Sequence, residues 1–309
     1  MTSQIAIEPR IVPIDEAELA LGAVRSRDGT TIGYRRLGRG PGLILLHGSM
    51  SSGGHHVELA RLLADTFTVF VPDRRGRGLS GAYRGLGDLT QELEDVAALR
   101  EATGAELLWG LSSGACIALQ AARSMPGIRK VALYEPPLLP DRAPATAVLR
   151  RFDAEMADGR IGAAMITAMR GAEMGPGWFR ALPQFLTARL VAMGIAQEAK
   201  KPAGPYPTMR ELAPTLHADF AVIRESSGWL DDYHSIETPA LLMGGSASPA
   251  YLKRALRDLE RTLPHAERVE LEGLDHSASW NCDLGGRPET VAPVLRSFFA
   301  RSLDTPPGY

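Results

Sequence analysis

The chain has 309 residues, of which 45% are hydrophobic and 23% are charged, and its formal net charge is −2. This composition is typical of a soluble globular protein, and the near-neutral charge excludes the basic surface expected of a nucleic-acid or anionic-lipid binder. The length predicts about two average domains, although single α/β domains of this size are common. We therefore expect neither a nucleic-acid partner nor membrane association.

The two cysteines, Cys116 and Cys282, belong to no metal-ligand motif. No disulfide framework, metal site or cofactor is therefore expected. The amino-terminal residues carry Glu8 and lack the features of a secretory signal, and no run approaches the ~18 apolar residues of a membrane helix. These features favour a bacterial cytoplasmic enzyme that acts on a small-molecule substrate as a monomer or homodimer.

Apolar runs suited to buried strands alternate with helical patterns along much of the chain. Two predicted strands, residues 22–27 and 31–36, flank Asp28 and Gly29, a dipeptide that favours a hairpin turn. Six more strands are predicted at 42–46, 67–71, 105–109, 130–134, 240–243 and 268–271, with helices at 57–64, 89–103, 114–124, 250–263 and 289–301. This alternation predicts an α/β fold, with a mostly parallel eight-stranded sheet, helices on both faces and an antiparallel edge.

Residues 137–237 interrupt the alternation. They contain helical patterns at 145–157 and 161–169 but no convincing strand, and prolines punctuate the remainder: Pro183, Pro202, Pro205, Pro207 and Pro214. We expect a helical insertion that forms a lid over the carboxyl edge of the sheet. The core then comprises residues 1–136 and 238–303, and residues 304–309 are expected to form a flexible tail.

Residues 110–114 read Gly-Leu-Ser-Ser-Gly and match the pattern G-x-S-x-G around Ser112. This pattern holds a nucleophilic serine in a strained turn between a strand and a helix, which small flanking residues allow to pack closely. A strand and a helix are predicted on either side here. On this interpretation Ser112 is the nucleophile and the N–H of Ser113 faces the oxyanion; the alternative is a Gly/Ser-rich turn without a nucleophile.

A serine nucleophile needs a base and donors for the oxyanion. His276 follows the last predicted strand and is expected to be that base, the alternative being an exposed loop histidine. After the strand at 42–46, the N–H of Ser49 is expected to supply a second oxyanion donor, worth roughly 2.7–4 kcal/mol in the transition state. His47 is expected to be structural. The other histidines are expected on the surface, in the lid or in loops: His55, His56, His217, His234 and His265.

Together these motifs resemble the α/β-hydrolase fold superfamily, over nearly the whole chain outside the lid. The resemblance rests on residues 46–49, 73–80, 110–114, 134–137, 244–249 and 273–276. It implies a serine hydrolase with the chain order nucleophile, acid, histidine. It also implies that residues 73–80 shape a loop beside the site. Dehalogenases and epoxide hydrolases of this superfamily have an aspartate where this chain has Ser112, so those activities are excluded.

The triad acid departs from the usual pattern of that superfamily. An aspartate commonly follows the next-to-last core strand, but Ala247 stands there. In some members the acid follows the preceding strand, where this chain has Glu135. We therefore expect Glu135 to be the acid; the alternative is a structural turn whose carboxylate pairs with an arginine. Less suitable carboxylates are Asp275, which is expected to point away from the base, and Asp231 and Asp232 at the end of the lid.

The lid is rich in methionine and aromatic side chains, which form adaptable apolar pockets when they face a cleft. Alternatively, these side chains form the core of the lid itself: Met156, Met165, Met169, Met174, Trp178, Phe179, Leu182, Phe185, Leu186, Met193 and Trp229. The first interpretation predicts a medium-sized, largely apolar ester, lactone or thioester. Its expected contacts are Met50, Trp178 and Trp280.

The predicted function is that of a serine hydrolase that works through an acyl-enzyme. Ser112 attacks the carbonyl, His276 accepts its proton, and Glu135 orients the imidazole. Two other functions remain open. The fold also hosts acyltransferases and cyclases of secondary metabolism, which a closed, dry lid would favour. A chain that had lost its acid, as Ala247 could indicate, would be a non-catalytic binding protein.

Overall fold

The structure, a computed structural model, describes residues 19–175, 182–228 and 230–301. Within these ranges eight strands form a sheet in the order β1-β2-β4-β3-β5-β6-β7-β8. They are β1 Ala20–Arg25, β2 Thr31–Leu37, β3 Gly42–Leu46, β4 Thr68–Pro72, β5 Leu107–Leu111, β6 Lys130–Tyr134, β7 Ala240–Gly245 and β8 Ala266–Leu271. Strands β3 to β8 are parallel, whereas β1 and β2 form an antiparallel edge. The predicted fold class is confirmed.

Helices cover both faces of this sheet and occupy the segment between β6 and β7. The described helices are α1 Val57–Leu63, α2 Leu89–Thr103, α3 Ser113–Ser124, α4 Ala143–Ala157, α5 Ile161–Gly171, α6 Gln184–Glu198, α7 Met209–Leu212, α8 Leu216–Ser226, α9 Ala250–Thr262 and α10 Pro288–Ala300. Short 3-10 turns lie at Gly53–His56, Ala213–Thr215, Leu230–Ser235 and Cys282–Leu284. Local sequence sets the helix ends. Asp88 is the N-cap of α2, and its carboxylate accepts a hydrogen bond from Gln91 N–H. Gly104 is the C-cap and adopts the left-handed conformation.

The sheet is buried on both sides. Ile44 and Leu242 face the cluster formed with α2, α3 and α9, whereas Trp109 and Leu241 face the cluster formed with α1 and α10. Strands buried on both faces have nearly continuous apolar sequences, which explains why the sequence predicted them well.

The helices between β6 and β7 have an apolar core of their own. It includes Phe152 of α4, Met165 of α5 and Phe220 of α8. Helix α8 also contributes Val222 to the cluster under α3, so it connects the insertion to the sheet. The two helices predicted in this segment are confirmed as α4 and α5, but α6 and α8 were not predicted.

Several positions in the insertion and near β3 differ from expectation. Phe185, Leu186 and Met193 neither face the cleft nor form a lid core, because they are 72%, 42% and 52% exposed on α6. His55 and His56, expected in exposed or loop positions, are instead buried. Other predicted features lie outside the described residues: Trp178, Phe179, Trp229 and the tail at 304–309.

The described part of the chain contains neither a membrane-spanning helix nor a cluster of metal ligands. None of its helices has the length and apolar character needed to cross a bilayer. Across residues 19–175, 182–228 and 230–301, no three His, Cys, Asp or Glu side chains are grouped so that they could hold a metal ion. Cys116 is buried in α3 and Cys282 is exposed.

Candidate active site

Ser112 lies in a sharp turn between β5 and α3. Its φ of 56° and ψ of −122° are rare for an L-residue, and its N–H donates to the Tyr134 carbonyl at 2.9 Å. Both glycines of the motif are required: a Cβ on Gly110 would lie 2.3 Å from the Gly114 carbonyl oxygen, and one on Gly114 would lie 2.4 Å from the Leu46 carbonyl oxygen. This strained turn holds Ser112 on the wall of a cavity at the carboxyl end of the sheet.

Glu135 follows β6 directly and is fully buried, with a positive φ of 48°. Its Oε2 lies 2.6 Å from Nδ1 of His276, and its Oε1 accepts a hydrogen bond from Gly245 N–H at 2.7 Å. A carboxylate can only accept, so Nδ1 of the histidine carries the donated proton and Nε2 is left able to accept one. The partner of Glu135 is therefore a histidine, and not the arginine of the alternative interpretation.

The turn after β7 leaves room for this carboxylate. A Cβ on Gly244 would lie 2.9 Å from Oε1 of Glu135, and one on Gly245 would lie 2.0 Å from the Leu274 carbonyl oxygen. The N–H of Ala247 donates to that same Leu274 carbonyl at 2.9 Å. Position 247, at which the resemblance noted from the sequence implies an acid, is thus adjacent to the loop that carries His276, but it bears only a methyl group.

The other carboxylates have different partners. Asp275 accepts hydrogen bonds from the N–H and the hydroxyl of Ser277, at 2.9 Å and 2.7 Å, so its carboxylate is directed away from the base as expected. Its backbone carbonyl accepts from the Tyr134 hydroxyl at 2.8 Å, which anchors the loop. Asp232 pairs with Arg123 at 3.3 Å on the surface. Neither of these carboxylates is paired with His276.

The loop after β3 passes directly against the candidate nucleophile. A Cβ on Gly48 would lie 2.9 Å from the Cβ of Ser112. His47 is fully buried, and this burial lowers its pKa well below the usual range. Its Nδ1 donates to the Gly48 carbonyl at 2.9 Å, and its Nε2 accepts from Arg74 N–H at 3.0 Å. His47 is therefore a neutral structural residue, which fastens the loop that carries Ser49.

A cavity of about 260 Å³ opens beside these groups. Ser49, Ser112 and His276 provide its polar end. Met50 and Trp280, two of the predicted substrate contacts, also line it; the third, Trp178, lies outside the described residues. The wall contributed by the insertion is apolar, and its largest side chains are Met165, Met169, Met174, Leu216, Phe220 and Ile223.

The sequence interpretation missed a buried ionic network beside the β3 loop. Nη1 of Arg74 donates to Ser113 Oγ at 3.0 Å and to Asp219 Oδ1 at 2.8 Å, while its Nε and Nη2 contact Glu92 at 3.0 Å and 2.7 Å. Arg77 donates to Asp219 Oδ2 at 2.6 Å. Burial opposes the charge on Arg74, but Glu92 and Asp219 outweigh it and raise the pKa of this guanidinium above its usual range. The arginine-rich stretch was the only signal of this network, since buried arginines need anionic partners.

Comparisons with known proteins agree with the fold described above. A model of the alpha/beta hydrolase family matches residues 43–294. The chain belongs to the alpha/beta hydrolase family. A solved structure described as an alpha/beta hydrolase from Sphaerobacter thermophilus DSM 20745 is 34% identical, with a TM-score of 0.70, and the match covers 90% of this chain and 100% of that one.

Three of the similar proteins carry the name pimeloyl-[acyl-carrier protein] methyl ester esterase. The one from Xanthomonas campestris pv. campestris (strain B100) is 25% identical over 268 residues, which are 85% of this chain and 97% of that protein. The one from Stenotrophomonas maltophilia (strain R551-3) is 37% identical over 99 residues, so the chain spans only 36% of its length. The enol-lactonase from Burkholderia xenovorans LB400 shares the fold, with 18% identity, a TM-score of 0.64 and coverage of 91% of this chain and 100% of that one.

Proposed function

We propose that this chain is a serine hydrolase that cleaves a medium-sized, largely apolar ester through Ser112, His276 and Glu135. The observation that carries the proposal is the 2.6 Å contact between Glu135 Oε2 and His276 Nδ1. This pair lies beside a cavity whose wall also carries Ser112. A buried carboxylate at Nδ1 orients the ring and stabilises its cation when Nε2 takes a proton.

In the proposed reaction, Ser112 Oγ attacks the ester carbonyl and its proton passes to Nε2 of His276. The backbone N–H groups of Ser49 and Ser113 receive the oxyanion that forms. Collapse of this intermediate breaks the ester bond, and the leaving alcohol takes the proton from the histidine. A water molecule, activated by the same base, then releases the acid from the acyl-enzyme.

The cavity favours an uncharged, apolar substrate group next to the scissile carbonyl. Its wall from the insertion is made of methionine, leucine, isoleucine and phenylalanine side chains. Tyr251 of α9 also lines the cavity, and its hydroxyl already donates to the Ala172 carbonyl at 3.0 Å. A charged group placed there would lose its hydration without gaining a partner. Esters, lactones and thioesters all fit this description, and the esterase and lactonase names of similar proteins fall within it.

We further infer that residues 137–237 act as a lid, with residues 1–136 and 238–303 as the core. The support is that α4, α5 and α8 supply cavity-lining residues such as Val148, Met165 and Phe220, while the candidate chemical groups come from the sheet side. A wall of this kind excludes water from part of the acyl-enzyme, which strengthens the electrostatic interactions within the site.

A fluorophosphonate probe tests the proposal directly. We expect the wild-type protein to be labelled and to hydrolyse p-nitrophenyl esters, and Ser112→Ala to lose labelling and at least about 10³-fold in turnover. Ser279→Ala is the matched control, since Ser279 is fully buried and its hydroxyl has no hydrogen-bond partner among the described residues. This control should label like the wild type.

The same experiment separates the competing functions. Labelling at Ser112 without hydrolysis of any ester in a series of acyl lengths would favour acyl transfer or cyclisation. A wild-type protein that is not labelled would contradict the enzyme proposal and favour a binding protein. A binding protein without a triad acid, as Ala247 could indicate, is disfavoured because Glu135 contacts His276.

A further inference from the structure

Asp219 lies in α8 of the insertion, but its carboxylate reaches the start of α3. It accepts a hydrogen bond from Ser113 Oγ at 2.8 Å and is 1% exposed. Ser113 Oγ in turn accepts from Arg74 at 3.0 Å and lies 3.3 Å from Ser49 Oγ. Because the carboxylate accepts the single proton of the Ser113 hydroxyl, the Ser49 hydroxyl is the donor in the last contact. One side chain of the insertion is therefore linked to both residues whose N–H groups are proposed to receive the oxyanion.

We propose that Asp219 is a positioning residue, which sets the relative placement of the Ser49 and Ser113 amides. The inference rests on the proposed hydrolase function of the same site. Oxyanion donors act because they are already oriented before charge develops, and a displacement of about 1 Å can cost on the order of 10²-fold in rate. Because Asp219 belongs to the insertion, the oxyanion site forms correctly only when the insertion is docked on the sheet.

The surroundings of Asp219 hold it firmly in one position. Its Oδ1 accepts from Arg74 at 2.8 Å and its Oδ2 accepts from Arg77 at 2.6 Å, and each of the three side chains is 2% exposed or less. Burial raises the pKa of Asp219, but Arg77 and Arg74 outweigh this effect and lower it below its usual value. With Glu92 as the second carboxylate, two positive and two negative charges balance. The charge-assisted hydrogen bonds among these buried side chains make the network rigid.

Because the charges balance, the effect of Asp219 on the placement of the oxyanion amides can be distinguished from the effect of its charge. Asp219→Asn leaves one uncompensated positive charge near the oxyanion, and that charge alone would favour a negatively charged transition state. A fall in kcat would therefore report lost positioning. If Asp219 only held the insertion in place, the cavity wall would shift and the main effect would be on KM.

The control is a substitution at Asp95, the carboxylate partner of the neighbouring Arg75. Asp95 accepts hydrogen bonds from Arg75 at 2.7 Å and 2.8 Å and is also buried, but none of its hydrogen bonds goes to either oxyanion residue. Asp95→Asn removes a comparable buried carboxylate, one that lies in α2 and pairs with Arg75 of the same arginine-rich segment. We expect the thermal stability to fall in Asp95→Asn and in Asp219→Asn alike.

For Asp219→Asn we expect kcat on a p-nitrophenyl ester to fall by about tenfold with KM within about twofold, because one donor is misplaced rather than lost. The affinity for a trifluoromethyl ketone, which forms a tetrahedral adduct with Ser112, should weaken by the same factor. Asp95→Asn should keep both values within about twofold of the wild type. Equal losses of kcat in the two variants, or a change confined to KM, would overturn the proposal.

Two further measurements cover the remaining outcomes. If Asp219→Asn does not fold, Ser113→Ala removes the other end of the link and should lower kcat several-fold at constant KM; unchanged kcat overturns the proposal. If the wild type is not labelled by fluorophosphonate, the hydrolase function fails but the link is still measurable. Hydrogen exchange at the Ser113 amide should then be faster in Asp219→Asn than in Asp95→Asn, and equal rates overturn it.

Discussion

The sheet and the helical insertion supply different properties to one cavity. The sheet contributes the candidate chemical groups, which follow the carboxyl ends of its strands. Four described non-glycine residues have a positive φ, and three of them lie on this side of the cavity: Met50, Ser112 and Glu135. The insertion contributes flexible apolar side chains such as Met165 and Met169. Strained backbone is maintained only where surrounding structure determines it fully, as in a sheet buried on both faces. In the proposed function, the strand ends supply the reacting groups, whereas the insertion supplies the apolar wall that selects the substrate and acts on reactivity only through Asp219.

The largest effect expected from this division concerns Glu135, the proposed acid, which follows β6. Glu135→Gln keeps an acceptor for Gly245 N–H but places an amide against Nδ1 of His276. The ring is then driven to the tautomer that carries its proton on Nε2, where it cannot accept one from serine. We expect kcat/KM for a p-nitrophenyl ester to fall by about 10³–10⁴-fold, measured near neutral pH.

Asp275→Asn is the matched control for that substitution. It changes the carboxylate next to the base in sequence, whose hydrogen bonds go to Ser277. Activity within a few-fold of the wild type is expected. If the two variants lost activity equally, Glu135 would not be the acid and the sheet would not hold the complete triad.

An intermediate effect should come from the insertion and should depend on the substrate. Ala168 lines the cavity from α5 and is buried, so Ala168→Phe fills part of the apolar space. For long-chain p-nitrophenyl esters, kcat/KM should fall by about 10–200-fold, while the value for the acetate ester should stay within about threefold. The reason is that each methylene group that fits an apolar pocket contributes roughly 1–3 kcal/mol to transition-state binding.

The control for the cavity is Ala196→Phe, at an exposed position of α6. It adds the same bulk to the insertion without entering the cavity and should leave the chain-length profile unchanged. Equal losses on short and long esters in Ala168→Phe would show that the apolar wall, and not Asp219 alone, affects reactivity, and the division between the two regions would need revision.

The smallest effect concerns stability on the sheet side. Burial lowers the pKa of His55 to about 4. The unfolded chain therefore binds a proton near pH 6.5 that the folded chain does not, so stability is present above that pH and is lost as the pH falls towards 4. The contribution of one such histidine reaches about 1.4 kcal/mol per pH unit.

His55→Asn removes this titration and retains an acceptor for the Ser52 N–H, which now bonds Nδ1 of the histidine at 3.2 Å. Urea unfolding between pH 7 and pH 5 should give a smaller loss of unfolding free energy in the variant than in the wild type. The same pH dependence in both proteins would be inconsistent with a neutral, buried His55.

The strands were predictable because their burial on both faces gives continuous apolar runs. The predictions at 42–46 and 130–134 coincide with β3 and β6. The strand predicted at 105–109 is instead β5, Leu107–Leu111, because it extends through Gly110, a residue that apolar patterning does not recognise as strand. In the insertion, prolines were interpreted as interruptions, yet Pro183 lies at the N-cap of α6, where a missing N–H costs nothing.

The residues of the candidate site also differ in how far local sequence could predict them. Ser112 and His276 were recognisable because a strand and a turn motif accompany each of them, and Glu135 because it ends a strand. Nothing local marks Asp219 as a partner of Arg74, which lies 145 residues earlier in the chain. Contacts of this kind depend on how the insertion docks on the sheet, and neither periodicity nor turn chemistry encodes that docking.

The hydrogen bond from Ser112 N–H to the Tyr134 carbonyl has a consequence for where the proposed triad is assembled. It places the serine opposite the residue that immediately precedes Glu135, so neighbouring strands supply two members of the proposed triad. The relative position of the proposed nucleophile and acid then depends on a single strand pairing, that of β5 with β6. The turn after β7 needs to supply no carboxylate, and the methyl group of Ala247 suffices there.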